Sequence, residues 1–153
     1  MNYQIEILDN YKMVHVRNIG KYGSPENFQM MENLKKWISH NHLEEDKKTE
    51  GIIGIAQGNP QLTPVEQCRF DLMLFTDKDF SQDSQVNMGD FEGGKYAVFT
   101  VTHTTEAVDS FWKNIGKTIS QNHLDIIANA PILERYKEEE GEDKICEFLI
   151  PMK

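Results

Sequence analysis

The sequence predicts an α+β fold in which a strand–helix–strand–strand unit occurs twice. The hexapeptide Ile38–Leu43 recurs with one change as Ile119–Leu124. Each copy ends a segment whose apolar residues follow helical spacing, and strand-like segments surround both helices in the same order. We therefore expect a mostly antiparallel sheet with two helices that flank a central groove.

In the first half, strands are predicted over Tyr3–Leu8 and Lys12–Asn18. A helix should begin after Ser24, a good N-cap that is followed by Pro25. The apolar stripe of this helix consists of Phe28, Met30, Met31, Leu34, Trp37 and Ile38. The charged stretch Glu44–Glu50 is predicted to be a solvated connection. Strands at Ile52–Ile55 and Phe70–Thr76 should follow, separated by the turn residues Gly58-Asn59-Pro60 and Thr63-Pro64.

The second half repeats this order. It has a strand at Lys95–Thr102, a helix cap at Thr104, and strands at Ile132–Tyr136 and Cys146–Ile150 joined through the acidic stretch Lys137–Asp143. The helix stripe consists of Val108, Phe111, Trp112, Ile115 and Ile119. The polar segment Asp77–Asp90 is typical of a linker. We expect one domain over residues 1–153, built from pseudo-repeats at about 1–80 and 87–153.

Composition and charge exclude several classes of function. With 25 acidic and 16 basic residues, the net charge is -9, which argues against direct nucleic-acid binding. The N-terminus lacks the features of a signal peptide, and no apolar run approaches the length of a membrane span, so we expect a cytoplasmic protein without membrane contact. Cys68 and Cys146 lie far apart in apolar runs and predict buried thiols rather than a disulfide framework.

Histidine spacing predicts neither a metal site nor a catalytic triad. His40 and His42 are two residues apart and would lie on different faces of a helix. His15 and His103 fall in predicted strands without an identifiable serine or cysteine partner. We expect no metal and no cofactor.

Several motifs in the first half point to a known family. They are Arg17–Gly23, which ends in Tyr22-Gly23, the strand Ile53-Gly54-Ile55, the loop residues Pro60, Thr63 and Pro64, and the strand Arg69-Phe70-Asp71. In their order and spacing they resemble the GyrI-like small-molecule-binding family. This family includes the effector-binding domains of AraC-type and drug-sensing transcription regulators. In Arg69-Phe70-Asp71, the two charged residues would share a face, so an Arg69–Asp71 pair or a capped loop is expected.

The resemblance continues through the second half. Gly93–Phe99, Leu133–Tyr136 and Glu147–Pro151 are similar to the family's later strands. Two positions depart from the pattern: His103–Ala107 lacks the Gly, Pro and Tyr of the family's second turn, and Leu149 stands where an aromatic residue is common. Both departures bear on the ligand more than on the fold. The chain resembles the stand-alone form of the family, without DNA-binding helices.

Glu134 is the principal candidate for binding. Ile132, Glu134 and Tyr136 alternate along a strand and share one face. A carboxylate in such surroundings is either exposed on an edge strand, paired with Lys137 or Lys144, or buried and in need of a partner. The resemblance implies that Glu134 is the groove glutamate that pairs with cationic or polar ligand groups. It also implies that Trp112 lines the groove, and Tyr22, Tyr96 and Tyr136 complete the candidate set.

Three functions remain open. The leading hypothesis is non-catalytic binding or sensing of a small hydrophobic compound, either neutral or cationic, as in an effector-binding or drug-sequestering protein related to transcription regulators. The second is hydrolysis of reactive electrophiles, with Glu134 as general base and Tyr136 steadying an oxyanion. The third is a protein partner, because stand-alone relatives are named for inhibiting DNA gyrase.

Overall fold

A computed structural model describes residues 1–57, 62–136 and 145–153, which form one curled antiparallel sheet with helices packed against it. The helices are α1 (Pro25–His40), α2 (Glu44–Glu50) and α3 (Thr105–Gln121), and one 3-10 turn covers Val65–Gln67. The strands are β1 (Gln4–Leu8), β2 (Tyr11–Ile19), β3 (Ile52–Ala56), β4 (Arg69–Phe75), β5 (Asn87–Phe91), β6 (Gly94–Thr102), β7 (Leu133–Tyr136) and β8 (Ile145–Met152).

The order of the strands has an approximate twofold symmetry. Across the sheet it is β1-β6-β8-β7-β3-β4-β2-β5, and every pair is antiparallel. Outward from the central β3–β7 pair, the strands β3, β4, β2 and β5 correspond to β7, β8, β6 and β1. The predicted α+β fold with a duplicated unit is confirmed. The residue limits of the two halves stay a prediction.

Two segments differ from the prediction. The predicted linker Asp77–Asp90 contains the start of β5, which pairs with β2 and is the counterpart of β1. Because β5 lies at the edge of the sheet, it tolerates a polar sequence, and this polarity is what made the segment look like a linker. The predicted connection Glu44–Glu50 is helix α2, with acidic residues in its first turn and Lys47 and Lys48 in its last, as the helix dipole favours. The predicted turn at residues 58–60 and the acidic stretch 137–143 lie outside the described residues.

The repeated hexapeptide is a helix terminus. The backbone N–H of Leu43 donates to the carbonyl of Ile38 over 3.0 Å, and that of Leu124 donates to Ile119 over 3.1 Å. His42 and His123 adopt φ angles of 57° and 51°, the left-handed conformation that ends such a helix. The two copies of the hexapeptide therefore form the same helix-ending turn.

The start of each helix also follows the prediction. The Ser24 hydroxyl accepts a hydrogen bond from the backbone N–H of Asn27, and the Thr104 hydroxyl accepts one from that of Ala107. Both caps satisfy backbone donors that a helix leaves unpaired in its first turn. No helix in the described ranges is long and apolar enough to cross a membrane.

The sheet buries apolar residues on both faces. The helix-covered face carries two clusters, one that joins α1 to the first half and one that joins α3 to the second half. Tyr136 packs at the margin of both clusters, which places it at the seam between the halves. The opposite, concave face holds a third cluster, which includes Ile53, Leu133 and Leu149.

Candidate functional site

Strand β7 carries the candidate carboxylate at the centre of the sheet. It pairs with β3 on one side and with β8 on the other, so the alternative of an exposed edge strand is wrong. Glu134 and Tyr136 both point to the helix-covered face, and the Tyr136 hydroxyl donates a hydrogen bond to the Glu134 carboxylate. Lys137 and Lys144, the partners expected for a surface glutamate, lie outside the described residues.

The surroundings of Glu134 favour its neutral form. Burial raises the pKa of the Glu134 carboxyl, while the hydrogen bond from Tyr136 and the nearby His103 lower it in part. The net shift is upward. An ionised carboxylate at this position therefore lacks part of the stabilisation that it would have in water, and a cation brought against it would restore that stabilisation.

His103 is a site residue that reasoning from triads missed. It precedes the N-cap of α3, and its ring centroid lies 5.8 Å from that of Tyr136, at an interplanar angle of 44°. The available signal was its place in the turn His103–Ala107, where the sequence departs from the family pattern. The imidazole adds a polar ring next to Tyr136 on this side of the carboxylate.

The second half supplies an aromatic wall. Phe148 is the direct cross-strand neighbour of Glu134. Phe111 stacks on Phe148 at a centroid distance of 4.6 Å, and Trp112 meets the same ring edge-on at 5.2 Å. Trp112 is 43% exposed, although helical spacing alone predicts a core position. Trp112 thus offers exposed aromatic surface, and the Phe148 ring links it to Glu134.

The first half supplies a smaller wall. Gly54 is the other cross-strand neighbour of Glu134. The tip of the Phe70 ring covers Gly54, and the half-buried Tyr22 meets Phe70 edge-on at a centroid distance of 6.4 Å. The sheet, with a turn residue at one end and a residue of α3 at the other, therefore presents a row of neighbouring groups with one carboxylate near its middle. From one side to the other the row is Tyr22, Phe70, Gly54, Glu134, Phe148 and Trp112.

Two aromatic residues lie elsewhere than expected. Tyr96 faces the concave interior, opposite Glu6 and Pro151, and is 7% exposed, so the structure does not bring it to the groove. Strand β6 is buried on both faces, and alternation alone could not say which face Tyr96 takes. Phe28 was predicted to be a core residue of α1, but it is 66% exposed because it lies off the buried face of the helix, which Asn27, Leu34, Trp37 and Ile38 form.

Behind the site, on the concave face, Arg135 anchors β7. Only 1% of its surface is exposed. Its guanidinium donates to Glu50 over 2.6 Å, to Glu6 over 2.8 Å and to Glu147 over 2.9 Å. These carboxylates come from α2, β1 and β8. Burial acts to lower the pKa of Arg135, but Glu147 and Glu6 outweigh it and raise that pKa above its ordinary value. The residue between Glu134 and Tyr136 is thereby tied to three other elements.

The first half has a simpler ion pair. Asp71 accepts two hydrogen bonds from Arg17, over 2.6 and 2.8 Å, and one from Gln57 over 3.0 Å. The expected Arg69–Asp71 pair is wrong, because the register sets Arg17 directly opposite Asp71. A same-strand neighbour two residues away is a poorer partner than a residue facing it across the ladder.

The first half also has a cleft that Glu134 does not line. A cleft of about 960 Å³ lies between the outer side of α1, β2 and residues Gln85 and Val86. Its one carboxylate, Glu26, is exposed. Within residues 1–57, 62–136 and 145–153, no three His, Cys, Asp or Glu side chains are grouped to hold a metal ion. Cys68 and Cys146 are free and buried.

Comparison with known proteins identifies the family of this chain. A family model described as the GyrI-like small molecule binding domain matches residues 1–153. The chain belongs to the GyrI-like family. This member is 38% identical over 152 residues to a Bacillus subtilis (strain 168) protein named "SPbeta prophage-derived putative transcriptional regulator YosT", covering 99% of each chain.

Solved structures share the GyrI-like fold at lower identity. One is SAV2435 bound to tetraphenylphosphonium, with a TM-score of 0.60, 17% identity, and coverage of 100% of this chain and 94% of that one. Another is a hydrolase from Listeria innocua, with a TM-score of 0.63, 9% identity, and coverage of 99% and 91%. At these identities the likeness concerns the fold alone.

Proposed function

We propose that this GyrI-like domain binds a hydrophobic cation in the groove between its halves and serves as a sensing or sequestering module. The observation that carries the proposal is the state of Glu134. Among the residues that the structure describes, its hydrogen-bond donor is the phenol of Tyr136 rather than an arginine or lysine, and burial raises its pKa. A cationic ligand supplies the charge that this carboxylate lacks.

The aromatic row supplies the rest of the ligand's chemistry. A cation with aromatic or aliphatic substituents can place its charge against Glu134 and its apolar groups against Trp112, Phe148 and Phe70. Aromatic faces attract cations as well as apolar groups. Binding of tetraphenylphosphonium by SAV2435, a protein of the same fold, supports this class of ligand.

Calorimetric titration with tetraphenylphosphonium tests the proposal, with neutral triphenylphosphine oxide as the matched probe. Removing the charged partner of a buried ion pair costs about 2 kcal/mol or more, so Glu134→Gln should weaken the phosphonium complex roughly 30-fold. The neutral probe should be affected little. Glu92→Gln removes an exposed charge away from the groove and is the control. Equal binding by wild type and Glu134→Gln would rule out the role proposed for Glu134.

A second candidate function is hydrolysis of electrophilic compounds. The observation that favours it is the contact between a carboxyl of raised pKa and a phenol, which matches a general base beside an oxyanion donor. Incubation with p-nitrophenyl acetate and styrene oxide separates the two functions. A pure binding module should show background turnover. Turnover that Glu134→Gln abolishes would instead establish an enzyme.

The third function, docking on a protein such as DNA gyrase, stays a hypothesis. A supercoiling assay with excess protein tests it directly.

A further inference from the structure

Gly54 and Glu134 face each other at the seam between the two halves. They are direct cross-strand neighbours in the β3–β7 pair. They also hold the same third place in the related runs Ile52–Ala56 and Ile132–Tyr136. At this shared position, one half contributes the carboxylate and the other contributes no side chain.

The space above Gly54 is occupied by its neighbours. A Cβ atom at this position would lie 3.0 Å from Cζ of Phe70, 3.2 Å from Cε2 of Tyr136 and 3.5 Å from Cδ2 of Leu72. The first two distances are shorter than the optimal separation of nonbonded carbon atoms, about 3.5 to 4.0 Å. The backbone conformation of Gly54 does not require glycine, because its φ angle is not in the left-handed region. Close packing of the two rings is the reason that remains.

The position of the Tyr136 ring determines the hydrogen bond to Glu134. Tyr136 lies opposite Ile52 in the register, so Gly54 is its diagonal neighbour. To reach the carboxylate two residues back along β7, the Tyr136 side chain leans over Gly54. A methyl group at position 54 would push the ring away from β3 and from the carboxylate.

We propose that Gly54 is a positioning residue of the site, because the lack of a side chain there lets Tyr136 lie over β3 and hold its hydroxyl on Glu134. This inference rests on the proposed function for its relevance to ligand binding. Its structural content concerns the unliganded protein. Tyr136 fixes the orientation of the carboxylate until a ligand arrives, and Gly54 fixes Tyr136.

The unliganded protein provides the first test. The side-chain carboxyl of Glu134 is titrated by carbon-13 NMR in wild type, Tyr136→Phe, Gly54→Ala and the double variant. Because the hydrogen bond from Tyr136 lowers the pKa of Glu134, its loss in Tyr136→Phe should raise that pKa further. Gly54→Ala should raise it in the same direction, and the double variant should titrate like Tyr136→Phe alone.

Gly89→Ala is the matched control. Gly89 is also a strand glycine, and its added Cβ would lie 2.9 Å from Cε of Met13, away from Glu134. This variant should titrate like wild type. If Gly54→Ala folds poorly, adding Phe70→Leu removes the closer ring contact and leaves the one with Tyr136 to be tested.

Binding of tetraphenylphosphonium provides the second test. Gly54→Ala and Tyr136→Phe should change the dissociation constant by the same factor, and their effects should not add in the double variant. Wild-type titration of Glu134 in Gly54→Ala, or no shift in Tyr136→Phe, would overturn the inference. Neither result depends on whether Glu134→Gln still binds the ligand, so the inference and the proposed function can fail separately.

Discussion

The two halves of the molecule share their scaffold and differ in how each treats a buried acid. In the first half, burial alone would raise the pKa of Asp71, but hydrogen bonds from Arg17 and Gln57 bring it below its ordinary value. In the second half, burial raises the pKa of Glu134, and the Tyr136 hydroxyl and His103 offset the rise only in part. Asp71 is therefore satisfied within the fold, whereas the described neighbours of Glu134 leave the pKa of its carboxyl raised.

A second difference concerns the arginines. Arg17 is partly exposed and pairs with one carboxylate, while Arg135 is fully buried and pairs with three. A buried guanidinium cannot be removed without leaving its partners uncompensated. The second half therefore depends on one ionic anchor directly behind Glu134 and Tyr136.

The largest expected effect comes from that anchor. Arg135→Met should lower the free energy of unfolding by about 3 to 5 kcal/mol, because three carboxylates lose their common partner. Arg17→Met should cost less, about 1 to 3 kcal/mol, the penalty for leaving Asp71 with Gln57 as its remaining described donor. Urea denaturation measures both values.

Arg69→Met is the control for these variants. Arg69 is exposed on β4, and its substitution should change stability by less than about 0.5 kcal/mol. Equal losses in Arg135→Met and Arg17→Met would contradict the difference drawn between the two anchors.

Neutralising the two buried acids, Glu134 and Asp71, should change stability by intermediate amounts and in opposite directions. The pKa of Glu134 is raised by folding, so its contribution to stability is full at low pH and falls as pH rises through the folded pKa. Glu134→Gln should therefore stabilise the unliganded protein at pH 7, with the gain shrinking toward acidic pH. The pKa of Asp71 is lowered, so Asp71→Asn should destabilise at pH 7 by about 1 to 3 kcal/mol, with the loss shrinking as pH falls.

Thermal unfolding from pH 3 to pH 8 measures both curves. If Glu134→Gln and Asp71→Asn both raised or both lowered stability at pH 7, the contrast between the halves would be wrong. A gain for Glu134→Gln would also agree with a site that gives up stability for ligand binding.

The smallest expected effect tests what the halves share. His42 and His123 hold left-handed conformations that cost residues with a Cβ about 1 kcal/mol, and glycine is not subject to this cost. His42→Gly and His123→Gly should each stabilise by up to about 1 kcal/mol, in additive fashion because they cap different helices. Gly116→Ala, an open position in α3, is a useful comparison for helix propensity. A gain in stability from one of these substitutions and a loss from the other would show that the two helix ends differ energetically.

The sequence predicted most elements because their signals are local. Helix α1 begins at Ser24 and Pro25, as capping chemistry requires. Strand β5 and helix α2 were missed, since an edge strand and a short exposed helix need little apolar periodicity. Tyr96 was assigned to the groove because a strand buried on both faces gives no sign of which side a residue takes.

The sequence by itself determined that the fold is duplicated, that both helices end in the same reversal, and that Glu134 and Tyr136 share a face. These features depend on residues a few positions apart, whose relation is set by backbone geometry. Only the tertiary structure decided that Gly54 and Phe148 flank Glu134, that His103 stands beside Tyr136, and that Arg135 gathers three glutamates. Those neighbours are distant in sequence, and their contact depends on strand order and register across the whole sheet.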